Sequence, residues 1–175
     1  MVWFVDHRIT TEGKINNLSH SMPQSAITLR QSTDEDLMFL FNVSTQAMLP
    51  VSQILDVDKI IDPEKQLEDY KFKFKPDKIQ IIVLDGCDVG RLRVVDKENQ
   101  IYIGGIQILP QYQNLGIGTW IFEQLIDRAN LSQKTIMLEV HKINTKAISF
   151  YDKLGFKIES ENQKQFIMTK TPKVI

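Results

Sequence analysis

Gln100-Ile101-Tyr102-Ile103-Gly104-Gly105-Ile106-Gln107-Ile108-Leu109-Pro110-Gln111-Tyr112-Gln113-Asn114-Leu115-Gly116-Ile117-Gly118 is the stretch whose reading decides the fold. Its first half alternates as a strand does, but Ile101 and Ile103 fall on odd positions and Ile106 and Ile108 on even ones. A side-chain period of two cannot change phase without an extra residue, so the glycine pair between them predicts a β-bulge. After Pro110 comes a glycine-containing loop, then Ile117, Ile121, Leu125 and Ala129 four apart, with Glu123, Gln124, Asp127 and Arg128 mostly opposite. That spacing predicts an amphipathic helix from about Gly118 to Ala129. A loop entering such a helix can aim successive backbone amides at an anion, with the positive end of the helix dipole behind them. Asn114 is the non-glycine residue that best tolerates positive φ, and Gly116 and Gly118 allow close approach to the backbone.

A Gly-x-Gly before a helix is by itself most often a tight turn. Two specific alternatives also fail on their own terms. The dinucleotide fingerprint needs a third glycine where this chain has Ile121, and a nucleotide-hydrolase phosphate loop needs Gly-Lys-Ser/Thr where Gly118 is followed by Thr119 and Trp120.

Upstream, a strand Ile27 to Arg30 precedes Ser32-Thr33-Asp34-Glu35, which reads as a capping box before Leu37, Leu40 and Phe41. Asp62-Pro63 opens a second helix carrying Leu67, Tyr70 and Phe74, and Met48 to Ile61 is expected as loop or short helix. Strands Ile79 to Leu84 and Val89 to Val95 meet across Asp85-Gly86-Cys87-Asp88, an Asp-Gly hairpin signal. Downstream come a strand Thr135 to Val140 and a helix from near Asn144 with Ala147, Phe150, Tyr151 and Leu154 on one face, ended by Gly155 as a left-handed cap. Strands Phe156 to Ser160 and Gln165 to Thr169 close the chain around Glu161-Asn162. The strand-loop-helix-strand unit from Gln100 to Val140 sets two parallel strands side by side in a sheet that is otherwise mostly antiparallel. The class is α/β, a mixed sheet flanked by helices.

Composition narrows the partners. The chain has 175 residues, 42% hydrophobic and 25% charged, with 21 basic against 22 acidic residues, enough for one domain and without a basic block for nucleic acid. Lys71, Lys73, Lys75 and Lys78, interleaved with Phe72 and Phe74, read as a solvated helix end. The lone Cys87 forms no internal disulfide and is expected in a turn, not as a nucleophile. No metal site is expected. Val2 to Val5 is too short for a signal peptide or a membrane span, so a soluble, cytoplasmic protein with no membrane partner is expected. Residues 1–26 form an N-terminal extension, and 27–175 a single domain. Trp3 and Phe4 favour docking of the extension over disorder, either as an edge strand or on a neighbouring subunit, which leaves a homodimer open.

The run Ile106 to Gly118 resembles the coenzyme A loop of GNAT acetyltransferases, with its Gln/Arg-x-x-Gly-x-Gly core. His141-Lys142-Ile143-Asn144-Thr145-Lys146-Ala147-Ile148-Ser149-Phe150-Tyr151-Asp152-Lys153-Leu154-Gly155-Phe156 resembles the family's second signature, where Asn opens a helix that carries Tyr and ends in Leu-Gly-Phe. The resemblance covers about Ile27 to Lys170. It implies the GNAT acyl-CoA N-acyltransferase fold with a splayed parallel strand pair, and acetyl-CoA as acyl donor. It further implies that the amides of Gln113, Asn114, Leu115, Gly116, Ile117 and Gly118 hold the pyrophosphate, and that backbone groups of Ile106 and Ile108 pair with pantetheine. Asn144 would contact the coenzyme and Tyr151 would protonate the departing thiolate. Read as residues alone, Tyr151 is a core aromatic and Asn144 a helix N-cap.

Many relatives place a basic carboxylate on the strand before the loop, where this chain has Gly104 and Gln107. Glu139 and His141 on the partner strand are the candidate bases. The reaction so implied is direct attack by a primary amine, on a small molecule or a peptide, within a ternary complex. A coenzyme A-binding sensor or interaction module of the same fold is the alternative. The first two helices and their connecting loop should grip the acceptor, with Asp56, Asp58 and Asp62 able to draw in a cation.

Overall fold

The computed structural model describes residues 27–54 and 62–173. The strands are β1 (Ile27–Gln31), β2 (Gln80–Leu84), β3 (Cys87–Asp96), β4 (Gln100–Ile108), β5 (Thr135–His141), β6 (Lys157–Glu161) and β7 (Gln165–Lys170). The helices are α1 (Leu37–Ile54), α2 (Pro63–Lys73), α3 (Ile117–Ser132) and α4 (Thr145–Lys153). One seven-stranded sheet runs β1-β2-β3-β4-β5-β7-β6. Every neighbouring pair is antiparallel except β4 with β5, the pair that the α3 crossover makes parallel. The expected element order and mixed sheet are both present.

Alternation along the strands divides the molecule into two layers of packing. Ile82, Leu92, Ile101, Ile103, Ile136 and Leu138 point to the face covered by α3 and α4, where they join Ile121, Phe122, Leu125 and Phe156 in the main core. Ile81 and Val83 point the other way and meet Leu40, Tyr70 and Phe74 of the α1–α2 layer. Fully burying a residue such as Ile82 or Phe122 is worth about 1.5–3 kcal/mol, so these two faces orient the sheet.

Several boundaries differ from the sequence reading, each for a local reason. The box before α1 closes on Asp36 instead of Glu35, because a single 3₁₀ turn, Asp34–Asp36, precedes the α-helix. The Asp36 carboxylate accepts from the Thr33 N–H at 2.8 Å. α1 also continues to Ile54 where loop or short helix was expected from Met48 on; it carries Pro50 in its interior. Proline forfeits one backbone bond there, and the helix continues for four residues beyond it. The β2–β3 connection is only Asp85-Gly86, both left-handed (φ 48° and 80°), so β3 begins at Cys87, which is exposed on a strand and not in a turn. α2 is capped as read, with the Asp62 carboxylate accepting from the Glu64 N–H and Pro63 opening the helix. Of the other acids expected at the acceptor, Asp56 and Asp58 lie outside the described residues, as does the extension 1–26.

Arg30 of β1 ties this layer together. Its guanidinium donates twice to Asp36, at 2.9 and 2.7 Å, and twice to Asp88 near the start of β3. Hydrogen bonding from Arg30 holds the Asp36 carboxyl down to about 2, below its ordinary 3.8. A depressed carboxylate stabilises the fold above its unfolded value and loses that contribution as pH falls through its folded value. Asp36→Asn should therefore lower stability at pH 7 by about 1.5–3 kcal/mol, the usual range for a charged hydrogen bond. Urea denaturation of both proteins should show the gap narrowing as pH falls from about 4 toward 2.

Candidate active site

β3 and β4 stay paired throughout, but Arg93 faces Gly105 while Val94 faces Ile103, so Gly104 is the extra residue of a bulge. The phase slip in the sequence is this bulge. The parallel pairing of β4 with β5 runs from Gln100↔Thr135 to Ile103↔Leu138 and stops there. Beyond it the strands part, leaving Gly105 to Ile108 on one side of a fork and Glu139 to His141 on the other. The Leu109 N–H donates to the Val89 carbonyl at 2.9 Å. Backbone direction alternates along a strand, so the amides and carbonyls of Ile106 and Ile108 point away from β3 and into the fork. Part of that edge is already occupied, because the Gln113 side chain donates to the Ile108 carbonyl at 3.0 Å.

The loop after β4 is arranged by its two left-handed residues, Asn114 (φ 63°) and Gly116 (φ 82°). The first backbone bond of α3 runs from the Trp120 N–H to the Gly116 carbonyl. The preceding amides from Asn114 to Thr119 have no backbone acceptor among the described residues, and they sit at the positive end of a helix of 16 residues. The Gln113 amide is different, since it donates to the Pro110 carbonyl at 3.2 Å inside a 3₁₀ turn. The sequence reading had counted it among the anion-holding amides, and the turn removes it from that set.

Loop, fork and α4 enclose one cavity of about 760 Å³. Ile106, Ile108, Gln113, Asn114, Gly116, Ile117, Gly118, Asn144 and Tyr151 line it, and they come from three separate stretches of chain. Of the site residues read from the sequence on this side, Leu115 is not on the wall; it is among the exposed apolar side chains. Tyr112, Thr119, Lys146 and Phe150 also line the cavity and were not anticipated. Phe150 had a signal, because it shares the apolar face of α4 with Tyr151; Lys146 looked like any exposed lysine. The Asn144 side chain caps α4 by accepting from the Ala147 N–H at 3.1 Å, so its two readings are compatible.

Tyr151 is both a packing residue and a wall residue. Its ring lies 5.3 Å from Phe122 and 5.9 Å from Phe156, contacts that fix the ring while one edge lines the cavity. Burial pushes its phenol up to about 12, with no charged partner contributing. Glu139 and His141 occupy the opposite face of β5 from Leu138 and Val140, so they approach the fork from the α1–α2 side. There the Tyr102 hydroxyl donates to Glu139 at 3.4 Å. Burial first, then the Glu139 charge, raises the Tyr102 phenol above its ordinary value. Among the described residues no cluster of His, Cys, Asp and Glu could hold a metal ion, and no helix is long and apolar enough to cross a membrane.

Known proteins share this arrangement. Over 107 residues the chain is 31% identical to the Drosophila melanogaster protein named probable N-acetyltransferase san, a match covering 51% of this chain and 58% of that relative's length. Two solved structures superpose on the fold. One is the PaiA N-acetyltransferase from Thermoplasma acidophilum in complex with coenzyme A, with a TM-score of 0.64 and 22% identity over 83% of this chain and 99% of that one. The other is Naa50 from Arabidopsis thaliana in complex with the bisubstrate analogue CoA-Ac-MVNAL, with a TM-score of 0.55 and 22% identity over 83% and 99%. At these identities the likeness is one of fold. The model described as the Acetyltransferase (GNAT) family matches residues 49–156, a span that takes in the bulged strand, the loop and the whole of α4. A fork opened by a bulge, with an amide-lined loop at its mouth and a tyrosine-bearing helix along its side, is therefore the work of a member of the GNAT acetyltransferase family.

Proposed function

We propose that this protein transfers the acetyl group of acetyl-CoA to a primary amine by direct attack in a ternary complex. The observation that carries this reading is that unpartnered loop amides, the open edge of β4 and Tyr151 all meet in one cavity. The residues present fit the donor. The amides of Asn114 to Gly118 would hold the pyrophosphate, and the backbone of Ile106 and Ile108 would pair with the pantetheine arm, as a strand would. A Cβ on Gly118 would sit 3.6 Å from Phe150 and 4.0 Å from Ile108, within the space such a chain must cross.

The amine nitrogen attacks the thioester carbon, the carbon–sulfur bond breaks, and the proton lost by nitrogen ends on sulfur. Glu139 or His141, on the acceptor side of the fork, would remove that proton directly or through water. Tyr151 would face the sulfur. A phenol at about 12 is a far weaker acid than an ordinary thiol at about 8.5, so complete transfer from Tyr151 to the thiolate runs uphill. Its contribution is then a hydrogen bond that strengthens as charge develops on sulfur, with solvent completing the protonation. Cys87 opens β3 and is not among the residues that line the cavity, which fits a mechanism without a covalent intermediate.

Five outcomes test the reading. Thiol release from acetyl-CoA should be stimulated by an amine in a panel of acceptors, whereas a sensor would bind the donor and release nothing. Tyr151→Phe should lower kcat by about 10² or more while changing acetyl-CoA affinity by less than about tenfold, because one neutral hydrogen bond is worth about 0.5–1.5 kcal/mol in the ground state. Equal turnover in the two proteins, with chemistry limiting, would leave Tyr151 a packing residue. Gly118→Val should abolish acetyl-CoA binding by calorimetry with little change in Tm; Gly116 is the poorer test, since its left-handed φ would strain any side chain. A chain of residues 27–175 should bind acetyl-CoA as the full chain does. Spectrophotometric titration should show Tyr151 ionising near pH 12. Its raised value means that this group lowers folded-state stability only between about pH 10, the unfolded value, and about 12.

A further inference from the structure

We infer, on the transferase reading above, that the acceptor is an amine that also carries a carboxylate, held by Arg93 with its amine toward Glu139. Three observations on the α1–α2 face of the fork lead there. First, β4 is bare at this point: Gly104 and Gly105 stand side by side, and a Cβ on Gly105 would meet nothing within 4 Å. Second, the bare patch lies between opposite charges. Arg93 of β3 is the cross-strand partner of Gly105, and its aliphatic stem lies 3.1 Å from where a Cβ on Gly104 would be. Glu139 of β5 stands on the far side, in contact with Tyr102, which also feels the Arg93 charge. Arg93 and Glu139 thus stand on strands either side of β4, at the point where β4 has left its pairing with β5 and opened the sheet.

Third, the helix that lies over this face brings no charge of its own. α1, which packs over β3 and β4, has no charged residue from Leu37 to Ile54. Two positions along β3, Arg91 faces Gln107 across the β3–β4 ladder. Its Nη1 donates to the Tyr70 hydroxyl at 3.1 Å, while its Nε and the Gln107 Oε1 are buried with no partner among the described residues. Arg91 is thus half-buried and engaged by Tyr70, whereas Arg93 is exposed and is the arginine that a ligand's carboxylate can reach. A polycation would meet Arg91 and Arg93 on the same face and be repelled.

The test compares matched amines in the thiol-release assay: glycine, β-alanine and γ-aminobutyrate, each against its carboxamide, with rates expressed per neutral amine. At least one carboxylate should be preferred in kcat/KM by about 10- to 100-fold, the usual effect of one charged hydrogen bond. Arg93→Gln should bring that ratio close to one, and Arg93→Lys should keep part of it. Thiol release without a carboxylate preference overturns this inference alone. So does Arg93→Gln if it slows both members of a pair equally while acetyl-CoA affinity is unchanged. A wild-type protein that binds no acetyl-CoA, or releases no thiol with any amine, overturns the transferase reading and this inference with it.

Discussion

Between Ile103 and Gly105 the fourth strand takes in one residue more than its β3 partner, and at the same point its pairing with β5 ends. A bulge bends a strand and increases its local twist, which carries β4 away from a parallel neighbour held in place by β7. The consequence is chemical as well as geometric. Strand edges inside a sheet normally satisfy each other, and the backbone of Ile106 and Ile108 loses its partner strand at the fork. Groups of that kind need water or a ligand to complete their hydrogen bonds.

The same opening joins two faces with different chemistry. On the α3–α4 side lie amides at a helix N-terminus and a tyrosine whose phenol burial keeps protonated. On the α1–α2 side lie Glu139, His141, Tyr102 and the β3 arginines, with a helix above them that brings no charge. One opening is thus bordered by two chemically different walls, one on each face of the sheet. The aromatic packing of Phe122, Phe150, Tyr151 and Phe156 supplies the rigidity, since each ring limits where Tyr151 can turn. At the far edge, Arg30 anchors β1 to the turn that starts α1 and to β3, setting where that charge-free helix begins over the sheet.

Much of this was legible in local sequence because the signals are steric and short in range. Asp85-Gly86 specifies a turn through two positive φ angles, and Gly104-Gly105 a bulge through a change of side-chain phase. Asp62-Pro63 and Asn144 specify helix starts through capping. Where the reading went astray, a longer-range term won. Met48 to Ile61 read as loop or short helix, yet α1 runs on to Ile54. Gln113 looked like an anion-holding residue, yet its amide closes the 3₁₀ turn and its side chain braces Ile108. Arg93 and Arg91 carried no local signal, because their meaning lies in the strands beside them.

The sequence by itself determined the order of the elements, the position of the bulge and the loop that presents its amides, because periodicity, turn chemistry and capping act over a few residues. Only the tertiary structure decided that Tyr151 borders the same cavity as that loop, that Glu139 faces the other side of the fork with Tyr102, and that two arginines flank bare glycines there. Those juxtapositions come from strand pairing between distant segments, and from burial and unpaired polar groups that exist only once the chain has closed on itself.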